Sequence, residues 1–320
     1  MIRRFAAAAA ATLLTAAAPV MAQEHDHAAH AAQSAPAMPT ADHGHAHANF
    51  VSGRFHVRVD GPDHPIGDVI LIPGLSSSPH VFDRITDSLK DRYRVHRLHV
   101  QGFAGAEPMD NASGPVAAPV AEDVARYIAE QGLNKPAVIG HSMGGTIGMM
   151  LAARHPDSVG KLMVVDMVPF MGAMFGGPGA TPASVTPMAD QIYTGMTAGP
   201  EEGYRAQAAA SVTGMINTES ERAGPLRDAA RSDRAVSSTA FRELIVTDLT
   251  PELAHITAPT TVLYVKFNDP RMTDAMVDGI YGAAFRNLPG ATLKRIDDSA
   301  HFIMLDQPAR FETEVNAFLD

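Results

Sequence analysis

The 320-residue chain has no cysteine. That excludes disulfides, cysteine-ligated zinc, iron–sulfur clusters and thiol nucleophiles, and leaves the redox compartment open. It also lacks a basic excess. Lysine and arginine number 25 against 35 acidic residues, a formal charge of −10 with no Lys/Arg-rich block. A nucleic-acid partner is therefore not expected, because phosphate binding needs a basic face. No stretch reaches the ~18 consecutive apolar residues of a membrane-spanning helix, so no stable membrane anchor is expected either. With 46% hydrophobic and 19% charged residues, the chain is long and apolar enough to bury a core.

The first 22 residues, MIRRFAAAAAATLLTAAAPVMA, place Arg3 and Arg4 before a short Ala/Leu-rich run that ends in small residues. This is the pattern of a cleavable export signal, and it predicts a periplasmic or secreted protein whose mature form begins at Gln23. Residues 23–49 are Ala, His, Pro and Ser without hydrophobic period, which predicts a flexible tether. The tether carries His25, His27, His30, His43, His45 and His47. Imidazoles at such spacing are weak candidates for loose Zn²⁺, Cu²⁺ or Ni²⁺ binding, but no acidic framework fixes a geometry, and the tract reads first as a solvated linker.

From residue 50 onward, short apolar runs alternate with helical periodicity. Strands are expected near 55–59, 68–72, 95–100, 137–139, 162–165, 261–265 and 292–296. Helices are expected near 79–93, 120–131, 146–154 and 309–319. Such alternation predicts an α/β domain over 50–320, with a mostly parallel, doubly wound sheet of about eight strands. Residues 169–248 break the rhythm: they hold no strand-like run, and helical stretches fall near 201–215, 222–234 and 237–246. This segment is expected to be a helical lid inserted between two strands.

The strongest chemical signal is VIGHSMGG. Gly140-His141-Ser142-Met143-Gly144 follows a strand and opens a helix. A G-x-S-x-G turn in that setting lifts the serine hydroxyl above the sheet and sets it beside free helix N–H groups. Ser142 is thus the candidate nucleophile. It needs a base and an orienting acid. His301, in DDSAHF after the last strand, is the candidate base. His141 flanks the serine and is expected to point away from it; His155 and His255 sit at element ends. For the acid, Asp269 in KFNDP is preferred, with Asp166, at the end of the strand 162–165, as the alternative. Asp306 looks like a helix N-cap. Oxyanion donors are expected from the backbone N–H of Met143 and of Leu75, in the Pro73-Gly74-Leu75-Ser76 loop after the strand 68–72.

With these motifs in this order, residues 50–320 resemble the α/β-hydrolase superfamily, and most of all its members with a helical cap. Pro73, Lys266 and Ala300 depart from residues common in that family and leave the subfamily unassigned. The resemblance implies an α/β-hydrolase fold, no cofactor, and a serine hydrolase that cleaves a carboxylic ester or lactone through an acyl-enzyme on Ser142. C–C, amide or perhydrolase chemistry on the same fold is the alternative, and a non-catalytic His-rich metal-binding protein a more distant one. The lid carries Met167, Met171, Met174, Met188, Met196, Met215, Phe170 and Phe175. These residues either line a pocket for a small hydrophobic ester-like substrate or pack the lid itself.

Overall fold

The computed structural model describes residues 50–177, 179–266 and 271–320. The proposed signal and the His-rich tether, with its six histidines, lie outside the described residues.

Seven strands form one sheet: β1 (Phe55–Asp60), β2 (Asp68–Ile72), β3 (Arg94–Val100), β4 (Ala137–His141), β5 (Lys161–Val165), β6 (Thr260–Tyr264) and β7 (Thr292–Arg295). Their order is β1-β3-β2-β4-β5-β6-β7. Only β1 runs antiparallel, pairing Phe55 with Val100 and Asp60 with Val95. Among the described residues the sheet thus has seven strands where about eight were expected.

The apolar runs explain the layers. In β2 every residue after Asp68 is buried, as befits a parallel strand covered on both faces. Alternate side chains serve opposite cores. Ile70, Ile72, Val138 and Val164 pack with α2 (Ala117–Glu130) and α3 (Met143–Arg154) through Val120, Val124 and Ile147. Val69, Leu71, Ile139 and Val165 pack with α1 (Asp83–Leu89) and α11 (Pro308–Leu319) through Ile85, Phe311 and Val315. The expected helix over 79–93 is a 3₁₀ turn at Pro79–Phe82 leading into α1, because Ser78 caps the chain one residue before Pro79.

Among the described residues, five α-helices lie between β5 and β6: α4 (Gly172–Gly176), α5 (Pro182–Ala198), α6 (Glu201–Gly214), α7 (Ala223–Arg231) and α8 (Arg234–Val246). They are followed in the chain by α9 (Asp274–Ala284), packed beside β7, and by the short α10 (Ile303–Asp306) before α11. Phe170, Val185, Ala189 and Ile245 form a small separate core within the insertion, and Met188 packs on it.

Strand order reverses at β2, which has β3 on one side and β4 on the other. In open parallel sheets the crevice beyond such a switch point is where ligands bind. Here it brings the loop after β2 against the turn after β4. A methyl group on Gly144 would fall 2.0 Å from the Ile72 carbonyl oxygen, so only glycine permits that approach.

Candidate active site

Ser142 occupies the turn between β4 and α3, at φ 53° and ψ −121°. That conformation costs an ordinary L-residue of order 1–3 kcal/mol and persists only where neighbours over-determine it. Its N–H donates to the Val165 carbonyl at 2.9 Å, and its own carbonyl accepts from the Gly145 N–H at 2.8 Å and the Thr146 N–H at 3.2 Å. The backbone is thereby tied to the neighbouring strand on one side and to the first helical turn on the other. Met143 is the first residue of α3, where backbone N–H groups have no carbonyl four residues behind them to bond.

His301 meets a carboxylate at Nδ1, and that carboxylate is Asp166 Oδ2 at 2.7 Å. Asp166, the alternative acid of the sequence reading, takes this bond. Asp269 itself lies outside the described residues. Asp166 stands one residue past β5 at φ 50°, and its N–H donates to the Leu263 carbonyl at 2.7 Å. Its other oxygen, Oδ1, accepts from the Tyr281 hydroxyl at 2.9 Å and from the Val265 N–H at 3.2 Å. The side chain is 1% exposed, so this buried carboxylate is matched by three donors, as a buried charge must be. With Nδ1–H given to Asp166, Nε2 of His301 carries the free lone pair.

Tyr281, on α9, is a site residue that sequence reading missed. Burial and then the Asp166 charge push its hydroxyl well above the ordinary tyrosine value, so it stays a neutral donor. In the sequence it reads as one more core residue, on a helix face it shares with Val277 and Phe285.

His141 does not turn away from the site. Its ring lies 4.6 Å from that of His301 and 4.7 Å from that of Phe302, centre to centre. Nε2–H donates to the His301 carbonyl at 3.0 Å, while Nδ1 is buried with no hydrogen-bond partner among the described residues. Burial, and then the neighbouring His301, hold its pKa well below the ordinary histidine value, so the ring is neutral.

Asp306 does not cap α11, whose N-cap is Gln307. Its carboxylate accepts from the N–H groups of Ala300 at 2.8 Å, Asn217 at 3.1 Å and Thr218 at 2.8 Å, joining the His301 loop to the helical insertion. His155 bonds Glu122 at 2.7 Å and serves the end of α3, away from this site.

Ser142, Asp166, His301 and Leu75 line one cavity of about 260 Å³. Met167, Met171, Met174, Met196, Met215 and Phe175 supply much of its wall. The remaining two, Met188 and Phe170, pack in the insertion's own core instead. Apart from Asp166, His141 and His301, no charged or titrating acid or base lines the cavity among the described residues except the Tyr204 and Tyr281 phenols. No group of three or more His, Asp or Glu able to hold a metal occurs among them either.

Comparison with known proteins agrees with this architecture. A pimeloyl-[acyl-carrier protein] methyl ester esterase of Vibrio cholerae is 24% identical over 252 residues, which is 78% of this chain and 91% of that protein. Among solved structures, the enol-lactonase of Burkholderia xenovorans superposes with a TM-score of 0.65 at 22% identity, covering 84% of this chain and 98% of the other. An esterase of Exiguobacterium antarcticum superposes at 0.68 with 18% identity, covering 83% and 95%. The family model described as the alpha/beta hydrolase family matches residues 69–314. A strained serine between strand and helix, an imidazole held by a buried carboxylate and the matched span lead to one statement: this chain belongs to the alpha/beta hydrolase family, and it is a hydrolase.

Proposed function

We propose that the protein hydrolyses small, uncharged carboxylic esters or lactones through an acyl-enzyme on Ser142. The observation that carries this reading is the pairing of His301 Nδ1 with buried Asp166 beside Ser142, all facing one apolar cavity. In the first half-reaction His301 Nε2 takes the Ser142 proton as Oγ attacks the ester carbonyl. The Met143 and Leu75 N–H groups stabilise the oxyanion of the tetrahedral intermediate. Collapse expels the alcohol, which takes the proton back from His301. Water then enters, gives its proton to His301 and attacks the acyl carbon, and the acid leaves as Ser142 recovers its proton. Asp166 holds the imidazole tautomer and balances the imidazolium charge throughout.

The esterase and lactonase names of the relatives support carboxylic ester chemistry. The methionine wall supports an acyl or alcohol group that is apolar and loosely specified, since thioether side chains adapt to varied shapes. Among the described residues the wall offers no lysine or arginine to receive a charged substrate group. The N-terminal pattern supports action outside the cytoplasm, in the periplasm or medium.

The test is labelling by a fluorophosphonate together with turnover of a chain-length series of p-nitrophenyl esters. Ser142→Ala should abolish labelling and lower kcat at least ~10³-fold with the fold retained. Turnover near the wild-type rate in purified Ser142→Ala would overturn the reading.

A further inference from the structure

The loop after β2, which carries Leu75, is held from outside the sheet. Within it the Ser77 N–H closes on the Gly74 carbonyl at 3.2 Å, and Ser76 sits in the left-handed region at φ 55°. A non-glycine residue there needs neighbours to keep it in place. Three side chains of the α7–α8 half of the helical insertion bond it laterally. Ser76 Oγ is 2.8 Å from Ser237 Oγ, and the Ser76 carbonyl accepts from Ser232 Oγ at 3.4 Å. Asp228 makes the strongest tie. Its Oδ2 accepts both the Ser78 N–H at 3.0 Å and the Ser78 hydroxyl at 2.5 Å, and the residue is 7% exposed.

That half of the insertion is itself anchored. Glu243 of α8 accepts from the N–H groups of Val116 at 2.6 Å, Ala117 at 2.9 Å and Ala118 at 2.9 Å, capping α2 from another element. Ser232 Oγ accepts from the Ala104 N–H at 2.8 Å. The α5–α6 half buries far less: Val185, Ala189 and Tyr204 are its buried side chains.

We propose that Asp228 is a positioning residue for catalysis: it fixes the 74–78 loop in the shape that aims a backbone N–H at the oxyanion. The α7–α8 half of the insertion is then a fixed wall of the catalytic machinery rather than a swinging lid. This rests on the serine-hydrolase reading above. A charged acceptor suits the task, because hydrogen bonds to a carboxylate are shorter and stronger than those to a neutral oxygen. One carboxylate oxygen holding both the N–H and the hydroxyl of Ser78 fixes that residue's backbone as well as its side chain.

The test measures kcat/KM on p-nitrophenyl butyrate and Ki for an alkyl trifluoromethyl ketone, whose adduct with Ser142 is a tetrahedral oxyanion. Both are measured in full-length wild type, Asp228→Ala, Asp228→Asn and Ser78→Ala. In Asp228→Ala, kcat/KM should fall about 10–100-fold and the ketone Ki should rise by the same factor, because the loss lies in oxyanion binding. Inhibition by butanol, a ground-state ligand, should stay within about threefold. Asp228→Asn keeps an acceptor and should recover most of the loss. Ser78→Ala, the mildest change, should show a smaller loss with the same parallel, and it decides the matter if Asp228→Ala does not fold. A ketone Ki unmoved while kcat/KM falls, or wild-type values in all three variants, overturns the proposal. A wild type that neither turns over esters nor binds the ketone overturns the underlying reading, and the proposal with it.

Discussion

Replacing Asp166 by asparagine removes a charge and almost nothing else in volume, so its effect follows from hydrogen-bond counting. Three donors face the carboxylate: His301 Nδ1–H at 2.7 Å, the Tyr281 hydroxyl at 2.9 Å and the Val265 N–H at 3.2 Å. Asparagine offers one acceptor oxygen and one amide NH₂. If the NH₂ faces His301, the ring must accept at Nδ1 and carry its proton on Nε2, where it cannot deprotonate Ser142. If the NH₂ faces the other way, it meets the Val265 N–H donor to donor. Both arrangements leave the imidazolium without its buried counter-charge. We expect kcat to drop roughly 10²–10⁴-fold, which is about 3–5 kcal/mol of transition-state stabilisation. Steady-state turnover of p-nitrophenyl butyrate measures it, with circular dichroism confirming the fold and Asp269→Asn run alongside. A nearly normal Asp166→Asn beside a crippled Asp269→Asn would refute the reasoning.

Tyr281→Phe removes one of the three donors from buried Asp166. It should destabilise the protein by about 1–3 kcal/mol, read from urea midpoints, and lower kcat more than it raises KM. His141 stays neutral in the fold, whereas the unfolded chain takes up a proton near the ordinary value of 6.5. Its contribution to stability is therefore complete above that pH and is lost as pH falls below it. The stability difference between wild type and His141→Gln should shift against the wild type from pH 8 to pH 5, with a slope of at most about 1.4 kcal/mol per pH unit; a flat difference would refute this. Export predicts a mature protein beginning at Gln23, and intact mass of material from the periplasm or medium checks it; a full-length cytoplasmic product would count against it.

The acid is the choice that the sequence left most open. β5 and β6 are adjacent and parallel, with Val165 paired to Leu263, so an aspartate after either strand emerges at the same edge of the crevice. Chain order is identical for both choices. Only the packing of α9, which brings Tyr281 onto Asp166, and the placement of the His301 loop show which carboxylate His301 meets. His141 and Asp306 went the same way: their partners, the His301 carbonyl and the N–H groups of residues 217, 218 and 300, lie 88 to 160 positions away or across a loop.

The sequence by itself determined the strands, many of the helices and the elbow, though not the helices Pro182–Ala198 and Asp274–Ala284, because apolar runs, 3.6-residue periodicity and the glycines flanking Ser142 are local properties of consecutive residues. It also located the helical segment between two strands and the histidine after the last one. Tertiary structure alone decided which carboxylate meets the base, which methionines face the cavity rather than the insertion's core, and which buried acids hold the catalytic loops. Those are questions of long-range contact, and hydrogen bonds between residues such as Ser78 and Asp228, 150 positions apart, leave no periodic trace in the chain.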